Sequence, residues 1–523
     1  MSRKRTQHPR STLSHPILHK PHGYFHDRVE RAGPTHFGIA CFDCHKNYSQ
    51  WMLADFFGNL LLSPRRLEHT RPAFEQAVAD LRQAMRDHEL RDLIAVVERT
   101  GRYHRPVQRA LSAARFDVRI VHPFATKQFR QVAHPGDKTD DHDLFAFHRA
   151  ALNGLALVEP ERDEFWTAFL RLARFRRGLI HKGAKLRCQI RHHLDAYLPG
   201  FCDSFHDFWK NHCSWPLARH FLSPQAIRDL GAEGLARFLR DRGVHFQRRS
   251  LTPVVAWAET APLPDVAPAN AQRIAGALED DRRAKQQQIH GLEAELAGCL
   301  CHTPYLLLLS CPGLNVGTIA DMAAELGPIN HYASAKGITG RAGLRPGRYQ
   351  SGQVDRSDGP LVRCCNRKLR AALLRGADCL LSTNPHFREL ATRWRAAGED
   401  PRRICVKVAQ RLCRILYQLV AGQQVFCHPH YKERHYILEK LIAFHADHGT
   451  VATTLQSDLE AACAQLPPTA YSAEAQRLRE QLHTLQRGRV HDPQGLADIL
   501  PKMLARLGTP TVQSKESGAS SPR

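Results

Sequence analysis

The chain has 523 residues, 43% hydrophobic and 24% charged, which is ample for a buried core and roughly two to four domains. Lys and Arg total 74 against 51 Asp and Glu, so the formal net charge is +23. A pI near 9.7 on so long a chain argues for a polyanionic partner, nucleic acid before anionic membrane. No apolar run reaches the length of a bilayer span, so no membrane helix is expected.

In chain order, residues 1–35 read as a disordered basic tail with no secretory h-region. Residues 36–158 follow an α/β pattern. His36–Phe42 is a short apolar run suited to a central strand, and Trp51–Asp55 and Asn59–Ser63 suit two more. Thr70 and Pro72 open a helix whose Phe74, Ala77, Val78, Leu81 and Met85 keep helical spacing. Leu93–Val97 predicts a fourth strand, 103–114 a helix, and Asp117–Val121 a fifth strand. The next helix holds Asp140 and Asp143. Three meandering strands, then alternating helix and strand, is the order of an RNase H-like sheet.

Residues 159–300 form a basic helical and coiled-coil region. It ends in a long helix, Ala271–Leu300, with Ile274, Leu278, Ile289, Leu292 and Leu296 on a stripe that Asp280–Arg283 interrupts. Residues 301–425 form a mainly helical block. Residues 426–523 read as one more helical region and a Ser-, Gly- and Pro-rich disordered end.

Fifteen cysteines, scattered and odd in number, argue for free thiols in a reducing cytoplasm rather than a disulfide framework. Cys41-Phe42-Asp43-Cys44-His45 fits the c-type haem pattern, but it sits at a strand end with no export signal. Cys299, Cys301 and His302, and more plausibly Cys427, His428, His430 and His435, are zinc-like fragments without a second ligand pair at finger spacing.

The chemistry is carried by acids. Asp43 and Glu98 end the first and fourth strands, which are neighbours in an RNase H-like sheet. Asp140 and Asp143, three apart, share a helix face. Four converging carboxylates repel one another unless a cation holds them, and hard oxygen ligands favour Mg²⁺ or Mn²⁺. Two such ions ~4 Å apart can bind both oxygens of a phosphodiester displacement. Taken singly, each acid reads more readily as a strand-end or helix-capping residue, and the case rests on all four converging in one sheet.

Farther on, Ser310–Gly327 resembles a helix-hairpin-helix turn able to face a phosphate. Ser351 then lies in a Gly-flanked loop. Arg345 and Arg348 precede it; Arg356, Arg363, Arg367, Lys368 and Arg370 follow. A serine with a ring of guanidinium groups suits nucleophilic attack on phosphate.

These residues resemble the DEDD-type transposases of the insertion-sequence 110 family. Asp43-Cys44-His45-Lys46 matches the Asp-x-x-Lys of the first motif. Glu98-Arg99-Thr100-Gly101-Arg102-Tyr103 matches the second, and Lys138-Thr139-Asp140-Asp141-His142-Asp143 the third. Pro312-Gly313-Leu314, Gly343-Leu344-Arg345-Pro346, Ser351-Gly352 and Asn366-Arg367-Lys368-Leu369-Arg370 follow in order. The resemblance covers about residues 36–425. It departs where Gly38-Ile39 stands three residues too far from Asp43, and where Cys365 replaces the glycine before Asn366.

The resemblance implies a RuvC-like N-terminal domain and a C-terminal serine transposase domain. Ser351 would be the nucleophile forming a phosphoserine link. Asp43, Glu98, Asp140 and Asp143 would bind Mg²⁺. Lys46, Lys138, Arg345, Arg348, Arg363, Arg367, Lys368 and Arg370 would contact nucleic acid. It also implies donor and target DNA, a bridge RNA that pairs with both, and a homo-oligomer, dimer or tetramer. Two rival readings stand beside it: a metal-only nuclease or junction resolvase, and a non-catalytic nucleic-acid-binding protein.

Overall fold

The structure, a computed structural model, describes residues 23–133, 135–159, 163–262, 270–351, 354–356, 359–363, 365–427 and 435–508. The chain divides into two compact units, 1–161 and 162–523.

In the first unit, helix α1 (His26–Ala32) precedes strands β1 (Phe37–Cys44), β2 (Tyr48–Asp55) and β3 (Leu60–Glu68). Helix α2 (Arg71–Asp87), β4 (Asp92–Glu98), α3 (His104–Ala113), β5 (Asp117–Val121), α4 (Pro123–Ala133), α5 (Asp140–Leu152) and the short β6 (Leu157–Val158) follow. The sheet is mixed, in the order β3-β2-β1-β4-β5-β6. β1 runs antiparallel to β2 and parallel to β4, with Phe42 opposite Val97.

All eight residues of β1 are buried, because helices cover both faces. The pleat sorts them. Ala40, Phe42 and Cys44 enter one core with α2 and α3; Phe37, Ile39 and Cys41 enter the other with α1, α4 and α5.

Sequence patterning found the five main strands but ended the first ones early, since β1 continues through Asp43 and β3 to Glu68. It assigned no element to α4 or β6. Residues 23–35, placed with the disordered tail, fold instead. Phe25, Val29 and Ala32 are buried, and Arg28 donates to Asp92 at 2.8 Å and to Asp117. Residues 1–22 of that tail lie outside the described residues.

The second unit begins with α6 (Glu164–Asp195), α7 (Ser214–His220), α8 (Pro224–Asp241), α9 (Thr252–Thr260) and α10 (Ala271–Cys301). α6 and α10 pair antiparallel: Arg176 donates to Glu293 at 2.8 Å, and His193 meets the Ala271 carbonyl at 3.0 Å. The stripe on α10 is only half right, because Ile289 and Leu296 are buried while Ile274 is exposed. The acidic–basic break after it is a local ion cluster, in which Glu279, itself buried, takes Arg282 and Arg283. Residues 190–258, with Ala271, build an aromatic-rich core of their own around Phe201, Phe205 and Phe208.

Beyond α10 come a 3₁₀ segment (Pro304–Ser310), α11 (Val316–Leu326), α12 (Ala335–Ala342), a hairpin of β7 (Tyr349–Ser351) and β8 (Val354–Arg356), then α13 (Arg367–Thr383), α14 (Pro385–Ala396) and α15 (Pro401–Ala421). The last stretch is four helices rather than one region: α16 (Ile437–Asp447), α17 (Ala452–Gln465), α18 (Pro468–Gln486) and α19 (Leu496–Gly508). They share one hydrophobic core with α11, α13 and α15, through residues such as Leu441, Leu459, Leu478 and Met503. Residues 509–523 lie outside the described residues. No described helix is long and apolar enough to cross a membrane.

Lys440 holds this core to the Pro312-Gly313 turn. Its buried ammonium donates to the carbonyls of Leu309 at 2.7 Å, and Cys311 and Leu314 at 3.2 Å. Burial pulls its pKa down to about 8. Replacing Lys440 by Met leaves three inward carbonyls without their donor, so Lys440→Met is expected to lower stability by about 2–4 kcal/mol in urea unfolding.

Candidate functional site

Asp43 is the first residue of β1 beyond Phe42 and falls on the Phe37/Ile39/Cys41 face, toward α4 and α5. Glu98 ends β4 on the same face as Ile94 and Val96. Since Phe42 pairs with Val97 in parallel, Asp43 and Glu98 are the next residues along two neighbouring strands. α5 starts at Asp140 because the Thr139 side chain accepts the His142 N–H at 3.2 Å, and its first turn holds Asp140 and Asp143.

The four expected carboxylates therefore meet, although unequally. Asp43 is only 6% exposed. Burial pushes its pKa up to about 6; His45 pulls it down, while Glu98, Asp140 and Asp143 each push it further up. His45, the first residue after β1, reaches both Asp43 (3.6 Å) and Asp140 (3.3 Å). Asp43, His45 and Asp140 present donor atoms within 4.8 Å of one another, the one such group among the described residues. Asp143, also buried, is held by Arg130 of α4, and Glu98 accepts the Thr100 hydroxyl at 3.0 Å.

Neither His45 nor Arg130 was picked out from sequence. For His45 the signal was available in its place two residues after Asp43. For Arg130 there was none, because α4 itself was not foreseen. Three hard carboxylate donors around a carboxyl that burial keeps above its ordinary range suit a divalent cation. The His45 ring lies beside Asp43 and Asp140, and the Arg130 guanidinium lies against Asp143. Lys46 and Lys138 are exposed at the rim, on the β1–β2 turn and before α5.

In the second unit, Ser351 lies in a hairpin rather than an irregular loop. It ends β7, is exposed, and pairs with Val354. Gly352 lies outside the described residues. Among the described residues no side chain hydrogen-bonds Ser351.

Below Ser351 the two arms are zipped by Gly347 N–H to Pro360 O (2.9 Å) and Val362 N–H to Arg345 O (3.2 Å). Arg370 locks their base. Its guanidinium donates through Nε to Ala342 O at 2.9 Å and through Nη2 to Gly343 O at 3.2 Å and Val362 O, so these two nitrogens serve the loop. Gly343 has φ +63°, and a Cβ there would lie 2.4 Å from that guanidinium, so only glycine fits.

Asn366 caps α13 through the Lys368 and Leu369 N–H groups, both at 3.1 Å, and donates to Glu325 at 3.0 Å. Burial pushes Glu325 up, but bonds from Arg174 and Asn366 outweigh it and hold the carboxyl below its usual range. Arg345, Arg348, Arg363, Arg367 and Lys368 are exposed around this loop. Of the zinc-like residues, Cys427 is exposed, and His428 and His430 lie outside the described residues.

Comparison with known proteins points to transposases. Residues 40–199, which hold all four carboxylates, match a family profile described as "Transposase". Residues 305–392, which hold Ser351, match "Transposase IS116/IS110/IS902 family". Over these two segments the chain is similar to the IS110 family of transposases.

A 43.6 kDa protein of insertion element IS110 from Streptomyces coelicolor is 26% identical over 217 residues, 40% of this chain and 51% of that protein. A 42 kDa protein of insertion element IS900 from Mycobacterium paratuberculosis is 27% identical over 232 residues, 43% of this chain and 56% of that one. A pilin gene-inverting protein of Moraxella bovis is 24% identical over 154 residues, 28% and 48% of the respective chains. The chain thus spans about half the length of these curated relatives.

The Asp43 carboxyl has a folded pKa of about 6 against an ordinary 3.8, so the stability it contributes is full below about 4 and is lost as pH rises through 6. Without metal at pH 7.5, Asp43→Asn is expected to be more stable than wild type, by about 2–3 kcal/mol at most. The gap closes at pH 5. A divalent cation at millimolar concentration is expected to raise the melting temperature of wild type but not of Asp43→Asn. Urea and thermal unfolding with and without EDTA check both statements.

Proposed function

We propose that the chain is a DNA recombinase that moves an insertion sequence, with Ser351 as nucleophile and a Mg²⁺-binding set of Asp43, Glu98, Asp140 and Asp143 on an RNase H-like, RuvC-like sheet. The observation that carries this reading is the buried Asp43. It is held near three more carboxylates by strand register and a capped helix, in a chain whose second profile match contains the serine.

Asp43, Glu98, Asp140 and Asp143 would hold the ion, which when bound supplies charge neutralisation at the reacting phosphate. Ser351 Oγ attacks a DNA phosphodiester: an Oγ–P bond forms and the P–O bond to the departing strand end breaks. The phosphoserine keeps the bond energy, and attack by a new strand end restores the free serine. Exposed Arg345, Arg348, Arg363, Arg367 and Lys368 neutralise the phosphate and hold the strand. Lys46 and Lys138 contact the backbone at the carboxylate site. Arg370 acts through the hairpin it locks.

In the same reading, base pairing with a bridge RNA selects donor and target DNA. The basic helices of residues 159–300 take part in RNA binding and in a dimer or tetramer, and the protein works in the cytoplasm. The inverting activity named for the Moraxella relative is a recombination of the same general kind. The rival reading is a metal-only nuclease or junction resolvase, in which the carboxylates hydrolyse DNA and Ser351 takes no part.

A recombination assay in cells, with donor and target plasmids and the element's flanking DNA, separates the two. Wild type is expected to give junctions, and both Ser351→Ala and Asp43→Asn to lose them by at least a hundredfold. Junctions from Ser351→Ala would transfer the chemistry to the carboxylates alone.

A further inference from the structure

Helix α6 carries no acidic residue from position 165 to 194, although it is rich in Arg and Lys. Its neighbours in the second unit meet only part of that charge. Arg176, buried, donates to Glu293 of α10 at 2.8 Å and to Asp321 of α11 at 3.3 Å. Arg174 takes both oxygens of Glu325, at 2.8 and 2.9 Å. Asp321 is then shared by two more guanidinium groups. Arg375 of α13 donates to it at 2.7 Å, while Arg177 stands off at 3.8 Å. Lys368 lies beside Arg174 with no carboxylate at ion-pair distance among the described residues. Five cations thus meet three carboxylates.

The surplus is felt by the groups themselves. Burial lowers the pKa of Arg177, and Arg375 and Arg176 lower it further against the pull of Asp321. Burial and then Arg174 lower that of Lys368, with Glu325 pulling the other way. The crowded cations are also open. The side chains of Arg177 and Arg375 are 27% and 31% exposed, and that of Arg174 42%, whereas Asp321 and Glu325 beneath them are 5% and 6%.

A cluster that served only to tie helices together would match its charges. Here the acids lie beneath, the guanidinium groups lie outward, and an anion is wanting on the outer side. Asp321 and Glu325 are one turn apart on α11, about 6 Å along its axis. The cations above them therefore fall in two steps, Arg177 with Arg375 and Arg174 with Lys368. On α6 the same stripe runs on through His181 and Lys185, both exposed. Cations repeated at every turn suit a chain of phosphates better than a single small anion, and a guanidinium pairs with phosphate through two N–H groups.

We infer that Arg177 and Arg375, with Arg174 and Lys368 one turn away, grip successive phosphates of a nucleic-acid strand laid along α6. The inference rests on the nucleic-acid reading above, in which only Lys368 of these four has a phosphate role. Binding is measured without any recombination step, so the two can fail separately.

The test uses the full chain in fluorescence anisotropy over a range of salt, with a labelled DNA duplex and a labelled single strand of RNA. Arg177→Gln removes a crowded charge, so its melting temperature is expected to equal or exceed that of wild type. Its affinity is expected to fall roughly threefold or more, and its salt slope by about 0.9 on the duplex or about 0.7 on the single strand. The double variant Arg177→Gln, Arg375→Gln is expected to lose about twice that slope. Arg177→Lys keeps the charge and is expected to keep the slope. Losses confined to one probe support the site and name DNA or RNA as its source.

Unchanged affinity and slope in both Gln variants would overturn the proposal and leave the cluster as a tie between helices. If Arg177→Gln loses stability as well as affinity, Arg177→Lys decides. A restored slope supports the phosphate contact, and restored stability without the slope refutes it. Wild type that binds neither probe would overturn the nucleic-acid reading together with this site, whereas wild-type binding that the variants leave intact overturns the site alone.

Discussion

The first unit is organised by an electrostatic constraint: a carboxylate placed on a strand that is covered on both sides. Asp43 cannot turn to water without breaking the pleat that buries Ile39 and Cys41 on the same face. Its charge has to be met from within, by a cation or by a proton. The surrounding architecture follows from that need. β1 lies between β2 and β4, α5 is capped by Thr139 so that its acids point into the same space, and α4 brings Arg130 to Asp143. Carboxylates gathered in this way repel one another, and a divalent cation among them would relieve that repulsion.

The second unit solves the opposite problem. Ser351 is exposed at the end of a two-stranded hairpin, an element with little stability of its own. Its position is fixed from below. Arg370 ties together the end of α12 and the returning arm, Gly343 leaves room for that guanidinium, and Asn366 anchors the start of α13 to Glu325 and, through it, to Arg174 of α6. Several residues that share a motif with the serine therefore serve its support. Asn366 and Arg370 bind the protein itself, whereas Arg367 and Lys368 between them face outward.

Much of this was legible before any coordinates. Apolar runs gave the strands, because a doubly covered sheet leaves continuous hydrophobic stretches, and parallel pairing of the first and fourth strands placed Asp43 beside Glu98. The strand ends were less legible. Asp43, Cys44 and the polar half of β3 look like turn residues, and only pairing with β2 extends the strands through them. α1 was hidden because its basic, His-rich setting masks three apolar residues at helical spacing. The four C-terminal helices were condensed into one because their short, polar-faced segments acquire identity only by packing on α11, α13 and α15. Arg130 and the role of Arg370 were beyond sequence reasoning, since a guanidinium's partner is set by tertiary contacts.

The antiparallel pairing of α6 with α10 has a topological consequence. His193, near the end of α6, touches the carbonyl of Ala271, the first residue of α10, so the chain leaves and re-enters the pair at one place. Residues 196–270 are therefore a closed excursion, with a core largely their own and both ends at a common doorway. An excursion of that kind can lengthen, shrink or be exchanged while the helices that carry it keep their register, because the entropy of closing the loop changes only slowly with its length. The family profiles stop at residue 199 and resume at 305, so they leave out this stretch and α10 after it. The fold can thus diversify there while the serine hairpin and its supports on α6, α11 and α13 stay as they are.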